Sequence, residues 1–382
     1  MPTQLLSSSL LPQFLEELDQ SSFLALDTEF HTERSYLPRL FLVQVHLTSS
    51  DTTWVIDPLE SGLLAGCREG LLSKPWLVHA GAQDIRLLRR ALGDVPHDVW
   101  DTQVAAGLVS YIYPMGLERM RAEWLGCEPM HQATMTDWSK RPLTERQIAY
   151  AAEDAAALPA LWEALLSHAD RLGRRAAIMA ACREARAAAL EPAVDMDAWR
   201  THPVSLSLTP RQCALLQRLL EWREREGAAR NQPSRSILSD GHLKNLCRLA
   251  PTTLEALTSH RRLPKGLIKN HGQTIVQIVC DALETPDAAL PMTIRRHGPR
   301  HRALEAVDSV FRVWCAQHHL APRLVLPQRD LHRMMSRETP RLDGLLTPWR
   351  AELVEEALMG ILHGQLVLTI QQSGLAPSVD HP

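Results

Sequence analysis

Residues 23–30 read Phe23-Leu-Ala-Leu-Asp27-Thr-Glu29-Phe30. A strand alternates its side chains, so Asp27 and Glu29 emerge on one face. Phe23, Leu24, Leu26 and Phe30 around them mark a strand covered on both sides, as in the middle of a sheet. Two anionic groups side by side at the end of a buried strand repel each other and lose hydration. A bound divalent cation would remove that cost. A solvated strand end facing a turn at residues 31–35 is the competing reading of the pair alone.

Two further stretches extend the pattern. Tyr150-Ala-Ala-Glu-Asp154 lies in an alanine-rich helical segment, where i, i+4 spacing stacks Tyr150 and Asp154 on one face. In His79-Ala-Gly-Ala-Gln-Asp84 a short apolar strand (Trp76, Leu77, Val78) runs through a glycine into a helix signalled by Ile85, Leu88 and Leu92. Asp84 then falls in that helix's first turn. The chain thus offers Asp, Glu, Asp, Tyr and Asp in order. Oxygen donors of this kind suit Mg²⁺ or Mn²⁺ and not zinc. Two such ions about 4 Å apart would clamp the attacking water and the leaving oxygen of a phosphodiester.

The spacing predicts strands at 23–29, 41–47, 54–57, 76–79 and 99–101, the first three antiparallel neighbours because their connections are short. Helices are expected at 82–92, 102–110, 117–124, 144–169 and 176–190. Three strands followed by strand–helix alternation fit a mixed α/β sheet with helices on its faces. No Gly-x-Gly-x-x-Gly follows the first strand, which excludes a dinucleotide fold. A proline-bearing linker is expected at 191–205, and beyond it every segment reads as helical. Leucines at 215, 216, 219 and 220 mark one helix, and Thr252-Thr-Leu-Glu255 reads as a capping box before another. After a break at 284–291 the pattern echoes weakly: Leu220-Glu-Trp222 by Arg312-Val-Trp314, and Asp240-Gly-His-Leu243 by Arg329-Asp-Leu331. Two copies of one helical module, at 206–286 and 292–375, are expected; chance similarity of two helical bundles is the alternative for the second copy.

These strings resemble the DEDD superfamily of 3′→5′ exonucleases in its tyrosine variant, and within it the ribonuclease D family. The resemblance rests on Leu26-Asp-Thr-Glu-Phe30, on Val78-His-Ala-Gly-Ala-Gln-Asp84, on Asp101-Thr-Gln103, and on Asp137-Trp-Ser-Lys-Arg-Pro-Leu-Thr-Glu-Arg-Gln-Ile-Ala-Tyr-Ala-Ala-Glu-Asp154. It implies an α/β ribonuclease-H-like exonuclease domain over 1–190. Leu263-Pro-Lys-Gly-Leu-Ile-Lys-Asn-His-Gly272 is similar to the helical HRDC domain that ribonuclease D shares with RecQ-type helicases, so the two modules are expected to be HRDC-like. Carried over by residue, the resemblance makes Asp27, Glu29 and Asp154 ligands of a first metal ion. Asp27 would bridge to a second ion, held otherwise through water by Asp84. Tyr150 would orient the attacking water, and His79 would touch substrate near the scissile phosphate. Many superfamily members carry an aromatic residue just before the middle aspartate; here it is Gln83.

The chain has 382 residues and a net charge of −3. That total hides an asymmetry: residues 1–200 carry 18 basic against 27 acidic side chains, and residues 201–350 carry 23 against 13. A basic stretch on an acidic chain is the footprint of a nucleic-acid binder. Arg223, Arg225, Arg230, Arg235, Lys244, Lys265 and Lys269 are its candidate phosphate contacts. Gln44 is placed to face the carboxylates, and Arg141 to reach a phosphate. A fragment ending near Leu190 is expected to fold and still trim short RNA. Seven cysteines without a Cys-x-x-Cys point to reduced thiols, and no apolar run nears the roughly 18 residues of a membrane span. The composition points to a soluble, cytoplasmic protein, and the resemblance implies an exoribonuclease with two divalent cations per site, acting on RNA, chiefly precursor tRNA with 3′ extensions, with no obligate protein partner evident. DNA-directed exonuclease and catalytically silent RNA-binding adaptor stand as alternatives.

Overall fold

The computed structural model describes residues 2–31, 35–127, 137–191, 198–261, 263–291, 298–337, 342, 344–370 and 377–380. The chain divides into two compact units. The first comprises Met1–His31, Pro38–Glu191 and Cys315–Val325; the second Thr32–Leu37, Pro192–Trp314 and Leu326–Pro382.

The first unit is built on six strands: β1 (Thr3–Leu5), β2 (Leu24–His31), β3 (Arg39–Leu47), β4 (Thr52–Ile56), β5 (Trp76–Val78) and β6 (Val99–Asp101). Their order is β1-β4-β3-β2-β5-β6. The run β2-β3-β4 is antiparallel, whereas β2-β5, β5-β6 and β1-β4 are parallel. Helices α1 (Leu11–Gln20), α2 (Leu63–Leu72) and α3 (Ala82–Leu92) cover one face, packing Phe14, Leu18, Cys67, Leu71, Ile85 and Leu88 onto Leu24, Leu26, Val43 and Val45. α4 (Thr102–Gly107) and α5 (Leu117–Leu125) follow, and then α6 (Glu145–Arg171) and α7 (Arg175–Leu190). The opposite sheet face takes α6, where Ala151 and Ala152 meet Leu42 and Val55. Small residues let the helix axis approach the sheet closely. Thr144 starts α6 with a capping box to Gln147.

The sequence reading missed β1, α1 and α2, and it drew the unit's boundary too early. Residues 315–325 belong to the first unit. The Ala321 N–H donates to the Gly107 carbonyl at 2.8 Å, and the Arg174 guanidinium to the carbonyls of Leu108 (2.9 Å), His318 (2.7 Å) and His319 (3.1 Å). A fragment ending near Leu190 would therefore lack a strip of its own unit, so the expectation that it folds intact is withdrawn.

The second unit starts earlier than the expected linker allows. Residues 192–197 of that linker lie outside the described residues, but Trp199 in α8 (Ala198–Thr201) is buried in the helical core. Around that core stand α9 (Pro210–Arg230), α10 (Ser234–Ile237), α11 (Asp240–Leu249), α12 (Leu254–Thr258) and α13 (Lys265–Leu283). Thr253, one residue later than expected, caps α12. Further along, α14 (Pro299–Gln317) ends in residues of the first unit and α15 (Pro322–Val325) lies in that unit, whereas α16 (Gln328–Ser336) and α17 (Pro348–Leu362) belong to the second. The all-helical expectation fails at the end of the chain, where β7 (Val367–Ile370) pairs antiparallel with β8 (Pro377–Asp380). Among the described residues no helix is long and apolar enough to cross a membrane.

Candidate active site

β2 is the pivot of the sheet, antiparallel to β3 on one side and parallel to β5 on the other. Its last pair with β5 is Ala25 with Leu77, so Asp27 and Glu29 extend beyond the shorter neighbour. A parallel sheet opens a crevice at the carboxyl ends of such strands, where the strand order reverses. In register with β3, Asp27 stands opposite Gln44 and Glu29 opposite Leu42. Directly opposed residues share a face. Leu42 packs under α6, so both carboxylates lie on the face that α6 covers with Tyr150 and Asp154.

Asp84 arrives from the other side. Thr28, on the opposite face of β2, is buried and donates its hydroxyl to Asp84 Oδ1. The turn before α3 is held by Asp101, whose carboxylate accepts from the backbone N–H groups of Ala80 (3.0 Å), Gly81 (2.9 Å) and Gln103 (2.8 Å). Gly81 has no alternative: a Cβ there would stand 2.2 Å from Val78 Cγ2. Asp101 and Gly81 thereby fix where the first turn of α3 presents Asp84. Thr28 and Asp101 were not foreseen as site residues, although Asp101 opens the quoted Asp101-Thr-Gln103 string.

Electrostatically the groups behave as one cluster. Burial, followed by Asp84, Asp154 and Glu29, holds the Asp27 carboxyl well above the usual range. Burial, then Asp154 and Asp84, pushes Glu29 up to about 8. Burial raises Asp84 to about 6 against the Thr28 hydrogen bond, and raises Asp154 to about 6 against Arg121. The Tyr150 phenol is raised too, by burial and then by Asp154 and Glu29. Its ring stacks on Trp138 with centroids 6.4 Å apart. The structure thus brings together all five residues expected at the site.

Among the described residues, no three His, Cys, Asp or Glu side chains already stand at coordination spacing. Thr28 bonds Asp84, and Arg121 lies 4.0 Å from Asp154. The donor set still fits a hard divalent cation: four buried or half-buried carboxylates, each raised as an acid by burial, with no thiol among them. A pH dependence follows. Above about pH 4.5 the folded cation-free protein holds protons that the unfolded chain has released, on Asp84 and Asp154 up to about pH 6 and on Glu29 up to about pH 8. Its stability must fall as pH rises through that window. Melting in EDTA at pH 5.5 and pH 8.5 should show the loss, and millimolar Mn²⁺ should abolish most of it. A flat profile in EDTA would contradict the clustered-carboxylate picture.

Residues 3–170 match the family model of 3′-5′ exonucleases, and residues 212–279 that of the HRDC domain. The chain is 31% identical to ribonuclease D of Gluconacetobacter diazotrophicus, covering 97% of this chain and 95% of that protein. The chain belongs to the ribonuclease D family. Ribonuclease D of Escherichia coli is also 31% identical, over 89% of this chain and 92% of its own. The crystal structure of the Escherichia coli enzyme, an exoribonuclease involved in structured RNA processing, superposes with a TM-score of 0.74 at 28% identity, covering 95% of this chain and 99% of that one. As a ribonuclease D the protein is a hydrolytic 3′→5′ exoribonuclease with RNA as its substrate, and its superfamily is divalent-metal dependent.

Other expected site residues fall differently. His79, just after β5, has its Nδ1 2.9 Å from Thr102 Oγ1, and burial lowers its pKa. Gln44 is fully buried and cannot touch RNA. Arg141 is committed to Asp57 (2.5 and 2.9 Å) and to the Phe41 and Trp138 carbonyls, tying the entry of α6 to β4 instead of reaching a phosphate. Arg223 is also withdrawn as an RNA contact: it is buried and bound to Asp240 Oδ1 (2.7 Å) and the Leu238 carbonyl (3.2 Å). Arg230 is exposed but paired with Glu226. Arg225, Lys244, Lys265 and Lys269 are exposed on the second unit.

Proposed function

We propose that this ribonuclease D removes 3′-terminal nucleotides one at a time by two-metal-ion hydrolysis, releasing 5′-monophosphates, and that it matures 3′-extended precursor tRNA in the cytoplasm. What supports the catalytic part is the convergence of Asp27, Glu29, Asp84 and Asp154 with Tyr150 at one crevice. Asp27, Glu29 and Asp154 would hold one cation, with Asp27 and Asp84 facing a second. Bound divalent cations would supply an activated water and neutralise charge on the phosphodiester. Tyr150, with its phenol kept protonated by burial and by the carboxylates, donates a hydrogen bond that orients the attacking water. His79 Nε2 is closed off from solvent, and the ring has the Met115 backbone as a hydrogen-bond partner, so a contact with the 3′-terminal nucleotide would need a local opening. None of the seven cysteines forms a disulfide, which fits a reducing compartment.

The substrate proposal draws on the structured-RNA role of the Escherichia coli relative and on the basic second unit. In that unit a cavity of about 310 Å³ is lined by Arg230, Arg235, His242, Asn270 and His271, with Lys265 and Lys269 on the adjoining α13. Replacing Arg225, Lys265 and Lys269 by alanine together should weaken binding of precursor tRNA and leave turnover of a short single-stranded RNA unchanged. The slope of log affinity against log salt should flatten by about 2, near 0.7 per lost phosphate contact. An unaltered slope would remove these three from the RNA surface.

The function itself is tested by incubating purified protein with 3′-extended precursor tRNA and with a DNA copy of its 3′ tail, in Mg²⁺ or Mn²⁺. Trimming of the RNA to the mature end, with the DNA left intact, is expected. Equal degradation of the DNA would favour the DNA-directed alternative.

A further inference from the structure

Gln44 carries the least ordinary environment in the first unit. It sits in β3 with no exposed surface, and neither Oε1 nor Nε2 has a hydrogen-bond partner. Buried polar groups are nearly always paired, so an orphaned amide calls for a cause. The register supplies one. Gln44 is flanked by Asp27 on β2 and Val55 on β4. Its neighbours two residues away on β3 are Leu42, packed under α6, and His46, already engaged by Thr53 at 3.0 Å. Above it, α6 presents alanines. Asp27 is therefore the polar side chain directly opposite, and residues so opposed carry Cβ atoms about 5 Å apart.

We propose that Gln44 is the positioning residue for Asp27: its amide N–H donates to the Asp27 carboxylate when that carboxylate holds a cation, and so fixes its orientation in the site. This rests on reading the carboxylates as a cation site. The amide stands unpaired, and an Asp27 carboxylate turned towards it would relieve that local instability. A glutamine suits this task because it gives a donor without a competing positive charge, which would repel the cation. Gln44 touches neither RNA nor water, so its influence on the reaction passes wholly through Asp27.

The test is Gln44→Met, which keeps length and volume and removes the amide. Three quantities are measured on the full chain: the melting midpoint in EDTA, the Mn²⁺ affinity by calorimetry without RNA, and the kcat and KM for a short RNA. The midpoint in EDTA should equal or exceed the wild-type value. Mn²⁺ should bind about ten- to a hundredfold more weakly, the worth of one hydrogen bond to a charged group. Turnover should fall with KM unchanged. A lower midpoint in EDTA together with wild-type Mn²⁺ affinity would overturn the proposal and make Gln44 an ordinary structural amide. A raised KM with unchanged Mn²⁺ affinity would also overturn it. Asp27→Asn runs alongside: if it too binds Mn²⁺ as the wild type does, the cation site itself is refuted, whereas loss in Asp27→Asn without loss in Gln44→Met refutes only the role given to Gln44.

Discussion

Replacing Asp27 by Asn is expected to cut exonuclease turnover by at least about 10³-fold while leaving the fold intact. The change keeps the side chain's shape and removes the charge closest to the other three carboxylates. Cation-assisted stabilisation of a reacting phosphodiester amounts to several kcal/mol, which corresponds to that many decades of rate. Stability should move the other way. Burial, Asp84, Asp154 and Glu29 all disfavour an ionised Asp27, so a neutral amide should raise the melting midpoint in EDTA above neutral pH. Calorimetry should show about two Mn²⁺ ions per wild-type chain and weakened, substoichiometric binding in the variant. Near-wild-type turnover in Mg²⁺ would contradict the assignment.

Tyr150→Phe is expected to lower the single-turnover rate by roughly 10²–10⁴, the range for one positioned proton-handling group. The ring remains to stack on Trp138, so the start of α6 and the placement of Asp154 survive. Mn²⁺ affinity and RNA binding should stay close to wild type, because the phenol stays neutral and is not a charge partner of the cation. Weakened metal or RNA binding with an unchanged single-turnover rate would mean that Tyr150 holds ligands in place and does not orient water.

Much of the site was legible because its signals are local. Alternation in β2 put Asp27 and Glu29 on one face, an i, i+4 spacing put Tyr150 above Asp154, and the Gly81 turn placed Asp84 in the first turn of α3. What escaped depends on contacts far apart in sequence. Thr28 reads as the wrong face of the strand until Asp84 is brought up beneath it. Asp101 secures the α3 turn from a different strand. Residues 315–325 look like part of a helical module, and the carbonyls they offer to Arg174, with the Ala321 N–H donated to Gly107, show that they belong to the first unit. β1 is three residues long and carries no periodicity that a short window can detect. Arg223 did leave a signal: with Leu216, Leu219, Leu220 and Gly227 it completes an i, i+3, i+4, i+7, i+11 stripe on α9, so its burial follows from the helical period. Charge alone was weighed there, and the period overrules it.

One measurement bears most directly on the claim that the β2 carboxylates, α3 and α6 form a cation-dependent 3′→5′ cutting site. A 5′-end-labelled RNA is incubated with the full chain in Mn²⁺ or in EDTA, and the products are resolved at single-nucleotide steps while the released nucleotides are identified. The predicted result is a ladder shortening from the 3′ end, with nucleoside 5′-monophosphates released in Mn²⁺ and no cleavage in EDTA. Internal cuts, 3′-phosphorylated mononucleotides or undiminished cleavage in EDTA would contradict it.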